Sequence, residues 1–124
     1  MARTASASLT DGEARVMAVL WQTPAATVAE VAASLHDRYA LTYSTVQTLL
    51  RILEQKGYVT HDKVGRAFVF RAVVDEGQAR RRALKHLIGR LFNGSPSLLV
   101  SNVLDDDEID PQELVQLKRL IEKA

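Results

Sequence analysis

The sequence contains no cysteine, which excludes disulfide bonds, thiol catalysis and thiolate metal sites. It also lacks any apolar run close to the roughly 20 residues that a membrane-spanning helix needs. The first residues, MARTASASL, do not include the apolar stretch of a secretory signal. We therefore expect a protein of the cytosol (the cytoplasmic compartment) with no membrane partner.

The usual signatures of enzymes and cofactor sites are missing as well. The sequence has neither a G-x-x-x-x-G-K-[ST] phosphate loop nor a G-x-S-x-G nucleophile elbow. Its three histidines, His36, His61 and His86, are far apart and do not have the spacing of metal ligands. These absences predict a protein that is not an enzyme and that binds neither a cofactor nor a metal ion.

The composition is that of an ordinary globular protein. Hydrophobic residues make up 47% and charged residues 25% of the 124, so a buried core is expected in one domain or in a small domain with an appendage. The net charge of +1 does not by itself indicate nucleic acid. Any DNA-binding role must therefore be argued from the placement of particular residues.

The segment 42–57, TYSTVQTLLRILEQKG, predicts a helix over about 43–56. Thr42 is the expected N-cap, and Gly57 is expected to end the helix because a left-handed backbone costs glycine little. Apolar residues recur at i, i+3, i+4 and i+7, as a buried helix face requires: Val46, Leu49, Leu50 and Leu53.

The opposite face of this helix is polar but carries little charge. Its members are Ser44, Gln47, Thr48, Arg51 and Gln55. Hydroxyl, amide and guanidinium groups form hydrogen bonds with base edges in a major groove, whereas a solvated helix face usually carries Glu and Lys pairs. We interpret the segment as a DNA-recognition helix. Taken alone, it is equally compatible with an ordinary solvated helix.

The preceding residues predict two further helices. Capping boxes of the form T-x-x-E begin at Thr10 and Thr27, and the helices they start are expected to run to about Trp21 and Arg38. Two helices, a short connection and a third helix with a polar outer face form a helix-turn-helix arrangement.

After Gly57, residues 58–61 and 67–71 are rich in β-formers, and 62–66 form a polar loop with a glycine. A hairpin in this position is the wing of a winged helix. Lys63 and Arg66 are expected at its tip, where they meet phosphates or the minor groove. The alternative is that Lys63 and Arg66 do not contact DNA and serve only to keep the turn soluble. Trp21, Phe68 and Phe70 are assigned to the core.

The C-terminal residues predict three helices, over about 75–92, 95–104 and 111–124, with the acidic run 105–108 between the last two. The arginine run at 80–82 is interpreted as a solvated face. Short helices with one-sided apolar stripes bury little surface by themselves, so a second copy of the segment is the natural partner. The residues expected in this dimer interface are Leu84, Leu87, Ile88, Leu91, Leu98, Leu99, Leu114, Leu117, Leu120 and Ile121.

The expected fold is therefore mainly α with a small β-hairpin wing. Residues 1–8 are expected to be disordered, 9–73 to form a winged helix-turn-helix DNA-binding domain, and 74–124 to form a helical dimerisation domain.

Five pieces of the sequence carry a resemblance to a known family: LTDGEARVMAVLW, TVAEVAASL, YSTVQTLLRILEQKGYV, GRAFVFRAVV and LFNGSPSLLVSNVL. Together they cover nearly the whole chain, and the pattern resembles the penicillinase-repressor family of winged-helix regulators (BlaI/MecI-like). The resemblance implies a homodimeric repressor on a palindromic operator, released when a membrane-bound sensor protease triggers its cleavage. By position, it implies that these residues face DNA: Ser44, Thr45, Gln47, Thr48 and Arg51, with Lys63 and Arg66 on the wing.

The sequence departs from the family pattern at three places. The family usually has a basic residue at the position of Gln47 and often another at the position of Ile52. These two differences imply that the protein can read an operator other than the family's usual one. Relatives are cleaved between Asn and Phe, whereas here Asn102 is followed by Val103. The copper-responsive branch of the family carries C-terminal cysteines, which are absent, so copper sensing through thiolates is excluded.

Three functions stand side by side at this point. The first is a dimeric, sequence-specific transcriptional repressor that binds double-stranded DNA. The second is a winged-helix protein-interaction module that does not meet DNA, against which Arg51, Lys63 and Arg66 argue. The third is a repressor released by a small-molecule effector held between the wing and the dimerisation helices.

Overall fold

The structure is a computed structural model that describes residues 8–124. The prediction of disorder for residues 1–8 thus lies, apart from Ser8, outside the described residues. The chain is mainly helical with one small antiparallel sheet, which confirms the predicted fold class. The elements are α1 Asp11–Gln22, β1 Ala26–Thr27, α2 Val28–Tyr39, α3 Tyr43–Lys56, β2 Val59–Val64, β3 Ala67–Ala72, α4 Glu76–Leu91, α5 Pro96–Leu104 and α6 Pro111–Lys123.

The first three helices begin at the residues that the sequence predicts. Thr10 and Thr27 are N-caps with complete capping boxes, in which each side chain accepts from the backbone N–H three residues on. Thr42 caps α3 by accepting from the N–H of Thr45. Gly57 ends α3 with φ of 87°, in the left-handed region that glycine adopts most readily. The structure confirms these predicted helix starts and this predicted helix end. The prediction succeeds because each capping interaction acts within one turn of helix.

The core lies where α1, α2 and α3 meet one side of the sheet. Side chains that are fully or almost fully buried come from every one of these elements: Val16, Met17, Val31, Val46, Leu50, Leu53, Tyr58 and Phe70. The predicted inward stripe of α3 is therefore confirmed, with Leu49 partly buried at its edge. Burial of this stripe fixes the rotation of α3 and so turns the opposite face outward.

The sheet has three strands in the order β1-β3-β2, all antiparallel. Strand β1 is only two residues long, too short to leave a sequence pattern, and it was not predicted. The predicted hairpin is present, but the predicted loop at 62–66 is wrong. Strand pairing continues to Val64 opposite Ala67, which leaves a two-residue turn at Gly65 and Arg66. Gly65 has φ of 62°, as the first central position of a tight hairpin turn favours.

The shorter turn changes the positions of two residues. Lys63 lies on β2 opposite Phe68, not at the tip of the hairpin, whereas Arg66 does lie in the turn. The assignment of Phe68 to the core is wrong, because 49% of this residue is exposed. Phe68 shares a face with buried Phe70 but stands two residues closer to the turn, beyond the main core. Trp21 is half-buried against the core and donates its Nε1–H to the carbonyl of Val74 at 2.9 Å.

The described residues form two compact units, one that ends at Leu84 and one that spans Lys85–Ala124, and α4 contributes to both. The expected domain boundary at 73/74 stays a prediction. In the second unit, α5 and α6 have no buried residue in the described chain, and large apolar side chains such as Leu98, Leu120 and Ile121 are exposed. Among the described helices, none is both long enough and apolar enough to cross a membrane.

Candidate nucleic-acid interface

The outer face of α3 is the strongest candidate for a functional surface in the first unit. The predicted contact residues are all exposed: Ser44, Thr45, Gln47, Thr48 and Arg51. At 100° per residue, four of them lie along one strip of the helix, and Thr45 lies towards its edge. Directly beneath, Val46, Leu50 and Leu53 are fully buried, so the strip has a rigid base.

The residues of this strip differ in whether their polar groups already form hydrogen bonds within the chain. Thr48 donates its hydroxyl to the carbonyl of Ser44 at 3.0 Å, so its oxygen is left as an acceptor. The hydroxyl groups of Thr42 and Thr45 are 3.0 Å apart. In the part of the chain that the structure describes, Gln47 and Arg51 have no hydrogen-bond or ionic partner. Their amide and guanidinium groups are therefore available to a partner molecule.

A partly buried ion pair holds the far end of α3 against α1. Lys56, in the last turn of α3, places its Nζ 2.7 Å from Oε1 of Glu13, whose side chain is only 3% exposed. The same oxygen accepts the backbone N–H of Thr10 at 2.9 Å. Glu13 thus serves two purposes, because it completes the capping box of α1 and fixes the C-terminal end of α3. The sequence revealed the capping box but not the partner lysine, which is 43 residues away.

The charge of Glu13 depends on these partners. Burial raises the pKa of the carboxyl, but the hydrogen bond from Lys56, the N–H of Thr10 and the positive charge of Lys56 together lower the pKa below its ordinary value of 4.5. Because the folded pKa lies below the unfolded one, the carboxylate stabilises the fold above pH 4.5, and this stabilisation is lost as the pH falls through the folded pKa.

Glu13→Gln is therefore expected to weaken the acid dependence of stability. The free energy of unfolding of the variant should vary less with pH below 4.5 than that of the parent, measured by urea unfolding at a series of pH values. Glu30→Gln is the matched control, because Glu30 completes the equivalent capping box of α2 without an ion pair. An unchanged pH dependence in Glu13→Gln would contradict the role of this carboxylate.

A second contact fixes the hairpin to α3. The carboxylate of Glu54 lies 2.8 and 2.9 Å from Nδ1 of His61 on β2, and because a carboxylate only accepts, Nδ1 donates. The imidazole packs against Phe68 and Phe70, with ring centroids 4.8 and 5.2 Å away. The position of the hairpin is thus set relative to the helix. This pairing, too, was missed from the sequence.

The exposed cations of the hairpin are Lys63 on β2, Arg66 in the turn and Arg71 on β3. Neither Lys63 nor Arg66 has an ionic partner among residues 8–124, whereas Arg71 is 3.5 Å from Asp62. Tyr43, the first residue of α3, is 54% exposed beside the polar strip and was not singled out from the sequence. Over the described residues, no group of three or more His, Asp or Glu side chains is arranged to hold a metal ion.

A helix-turn-helix followed by a two-stranded hairpin, with an exposed polar face on the third helix, defines a winged helix-turn-helix domain. The chain belongs to the penicillinase repressor family, whose model matches residues 9–123. The resemblance noted in the sequence is therefore confirmed. The family is one of transcriptional repressors, which also confirms that the protein is not an enzyme.

Individual relatives match over most of the chain. It is 30% identical over 115 residues to the penicillinase repressor of Bacillus licheniformis, covering 93% of this chain and 90% of that protein. It is 21% identical over 115 residues to the methicillin resistance regulatory protein MecI of Staphylococcus aureus, covering 93% and 94% of the two chains.

Two solved structures resemble part of this chain. The DNA binding domain of the repressor BlaI matches with a TM-score of 0.55 and 32% identity, over 60% of this chain and 92% of that one. The monomeric form of Bacillus licheniformis BlaI in complex with the blaP half-operator matches with a TM-score of 0.50 and 34% identity, over 57% and 87% of the two chains.

Proposed function

We propose that this protein is a sequence-specific, DNA-binding transcriptional repressor that acts in the cytoplasm as a homodimer on a palindromic operator, with α3 in the major groove. The observation that carries the proposal is the exposed polar strip of α3, on which Gln47 and Arg51 have free donor groups above a fully buried apolar base. Family membership and the likeness to BlaI, whose structure was solved with a half-operator, support it.

Affinity and specificity come from different residues. Phosphate contacts by Lys63 and Arg66 would supply affinity that falls with salt, because neutralising phosphates releases counterions. Base discrimination would come from the α3 strip, with Arg51 on a guanine and Gln47 on an adenine, since both side chains can form two parallel hydrogen bonds to these bases. Ser44, Thr45 and Thr48 contribute shorter contacts along the same groove.

The homodimer is inferred from the second unit. Helices α5 and α6 border an open apolar groove of about 300 Å³, lined by residues that include Leu99, Leu117, Leu120 and Ile121. No residue of either helix is buried in the described chain, so the apolar stripes need a partner surface. A second copy of the chain satisfies this need by two-fold symmetry and presents two copies of α3 to two half-sites.

Release of the repressor by a sensor protease at Asn102–Val103 is part of the proposal. This bond lies within α5, where the Nδ2 of Asn102 donates to the carbonyl of Leu98 at 2.9 Å. Cleavage therefore requires the end of α5 to unfold locally before the backbone can enter an active site.

The proposal is tested by fluorescence anisotropy of the full chain with a palindromic family-type operator and a scrambled duplex at several salt concentrations. Tighter binding to the palindrome, a steep salt dependence and two chains per duplex are expected. Equal binding to both duplexes would contradict specificity for this operator. Absence of binding at low salt would contradict DNA binding and favour the protein-interaction module.

Arg51→Ala is expected to weaken binding to the cognate operator by about 1–3 kcal/mol and to relax the preference at one base pair. The measurement is anisotropy with a set of single-base operator variants. Arg66→Ala is the comparison, because loss of a phosphate contact should weaken binding to all sequences about equally and reduce the salt slope by about one. An equal loss on random DNA for Arg51→Ala would show that Arg51 contacts only phosphate.

A further inference from the structure

A cleft of about 310 Å³ opens between α1 and α2 in the first unit. Its walls come from these two helices and the residues just after α1, and α3 contributes none of them. The side chains that matter here are Arg15, Val19, Gln22, Ser34, Arg38 and Tyr39. The cleft is thus separate from the polar strip of α3, and no step of the proposed DNA recognition uses it.

Two arginines lie over one aromatic ring in this cleft, and Arg15 is the closer of the two. The guanidinium carbon of Arg15 is 4.1 Å from the centroid of the Tyr39 ring, and that of Arg38 is 5.6 Å away. Stacking on a ring uses the face of a guanidinium and leaves its N–H donors, which point outward in the plane, unused. Among residues 8–124, no carboxylate pairs with either arginine.

The helix dipole accounts for only one of the two arginines. Arg38 lies in the last turn of α2, where a cation complements the helix dipole. Arg15 is in the middle of α1 and has no such role. Two like charges near one ring repel each other, and an anion between their donor edges would offset this repulsion. The arrangement therefore has unused donors and excess positive charge at the mouth of a cleft.

We propose that this cleft binds a small organic anion through a carboxylate or phosphate group held by Arg15 and Arg38. Planar guanidinium groups suit such oxyanions because they present pairs of parallel N–H donors, and Tyr39 orients them in advance. The body of the ligand would lie over Val19, with the amide of Gln22 and the hydroxyl of Ser34 as further polar contacts. The volume suits a small metabolite, at the lower end of ligand pockets.

The test uses the full chain and two probes, inorganic phosphate and succinate, each titrated at constant ionic strength. Two-dimensional NMR follows the backbone signals of α1 and α2 and the side-chain N–H signals of arginine. Saturable shifts confined to residues around 15–23 and 34–39 are expected for at least one probe. Arg15→Gln and Arg38→Gln should each weaken the apparent affinity at least tenfold, whereas Arg81→Gln, which removes an exposed arginine outside the cleft, should not.

A conservative variant separates binding from folding. Arg15→Lys keeps the charge but loses the planar pair of donors, so it should also weaken binding while leaving the rest of the spectrum unchanged. Shifts that are absent up to 50 mM probe, or equal in all variants, would overturn the proposal. It would also be overturned if the arginine variants left the titrations unchanged but lowered the salt slope of DNA binding, because the arginines would then contact DNA phosphates.

Discussion

Replacing Lys56 with methionine is expected to lower the free energy of unfolding of the first unit by about 1–3 kcal/mol, because a buried carboxylate then loses the partner of its charge-assisted hydrogen bond. The variant leaves the carboxylate of Glu13, with a side chain only 3% exposed, without its counter-ion. Its remaining contact, the N–H of Thr10, compensates only part of the lost hydration. The measurement is urea unfolding at pH 7, followed by the fluorescence of Trp21, the only tryptophan.

Two comparisons make this prediction specific. Lys63→Met removes an exposed lysine of the same unit and should change stability by about 0.5 kcal/mol or less. The double variant Glu13→Gln with Lys56→Met should be more stable than Lys56→Met alone, because it leaves no buried charge without a partner. If Lys56→Met were no less stable than Lys63→Met, the ion pair would not hold α3 in place.

Leu50→Ala is expected to destabilise the first unit by about 2–5 kcal/mol. Leu50 is fully buried on the inner face of α3, where it packs with residues of the three-helix core. Truncation removes apolar contacts and leaves a cavity that close-packed neighbours fill only in part. A loss of this size is a large fraction of the stability of a small domain. The change is measured from the same Trp21 transition in urea.

The matched control for Leu50→Ala is Val64→Ala on β2. Val64 is 61% exposed, so the loss of its methyl groups should change the free energy of unfolding by about 0.5 kcal/mol or less. DNA binding provides a second measurement, because α3 must be folded to enter a groove. Leu50→Ala should retain operator affinity at low temperature and lose it on heating before the parent does. Equal stability of the two variants would contradict the position of Leu50 in the core.

The correct sequence predictions concern features that act over short distances. A T-x-x-E box satisfies backbone N–H groups within one turn, so Thr10 and Thr27 mark helix starts in any tertiary context. The alternation of apolar and polar residues in 42–57 likewise determines which face of α3 is exposed. The motif pattern extends over nearly the whole chain, and it was sufficient to identify the family.

The wrong predictions concern the length of the hairpin strands and the burial of Phe68. The segment 62–66 was predicted to be a loop, but strand pairing between β2 and β3 continues through residues 62–64 because the Gly65 backbone allows a two-residue turn. Phe68 is hydrophobic and in phase with Phe70, yet it lies where the hairpin extends past the helices that would cover it. The hydrophobicity and the two-residue spacing of side chains along a strand do not indicate how far that strand extends beyond the core.

The sequence by itself determined the helices, their caps, the polar strip of α3, the presence of a hairpin and the family, because these depend on residues close together in the chain. Only the tertiary structure decided which distant side chains meet. Lys56 pairs with Glu13 across 43 residues, and Arg15 stacks on Tyr39 from another helix. Such pairs depend on how helices cross and which side chains exclude water, and neither leaves a periodic signal in the sequence.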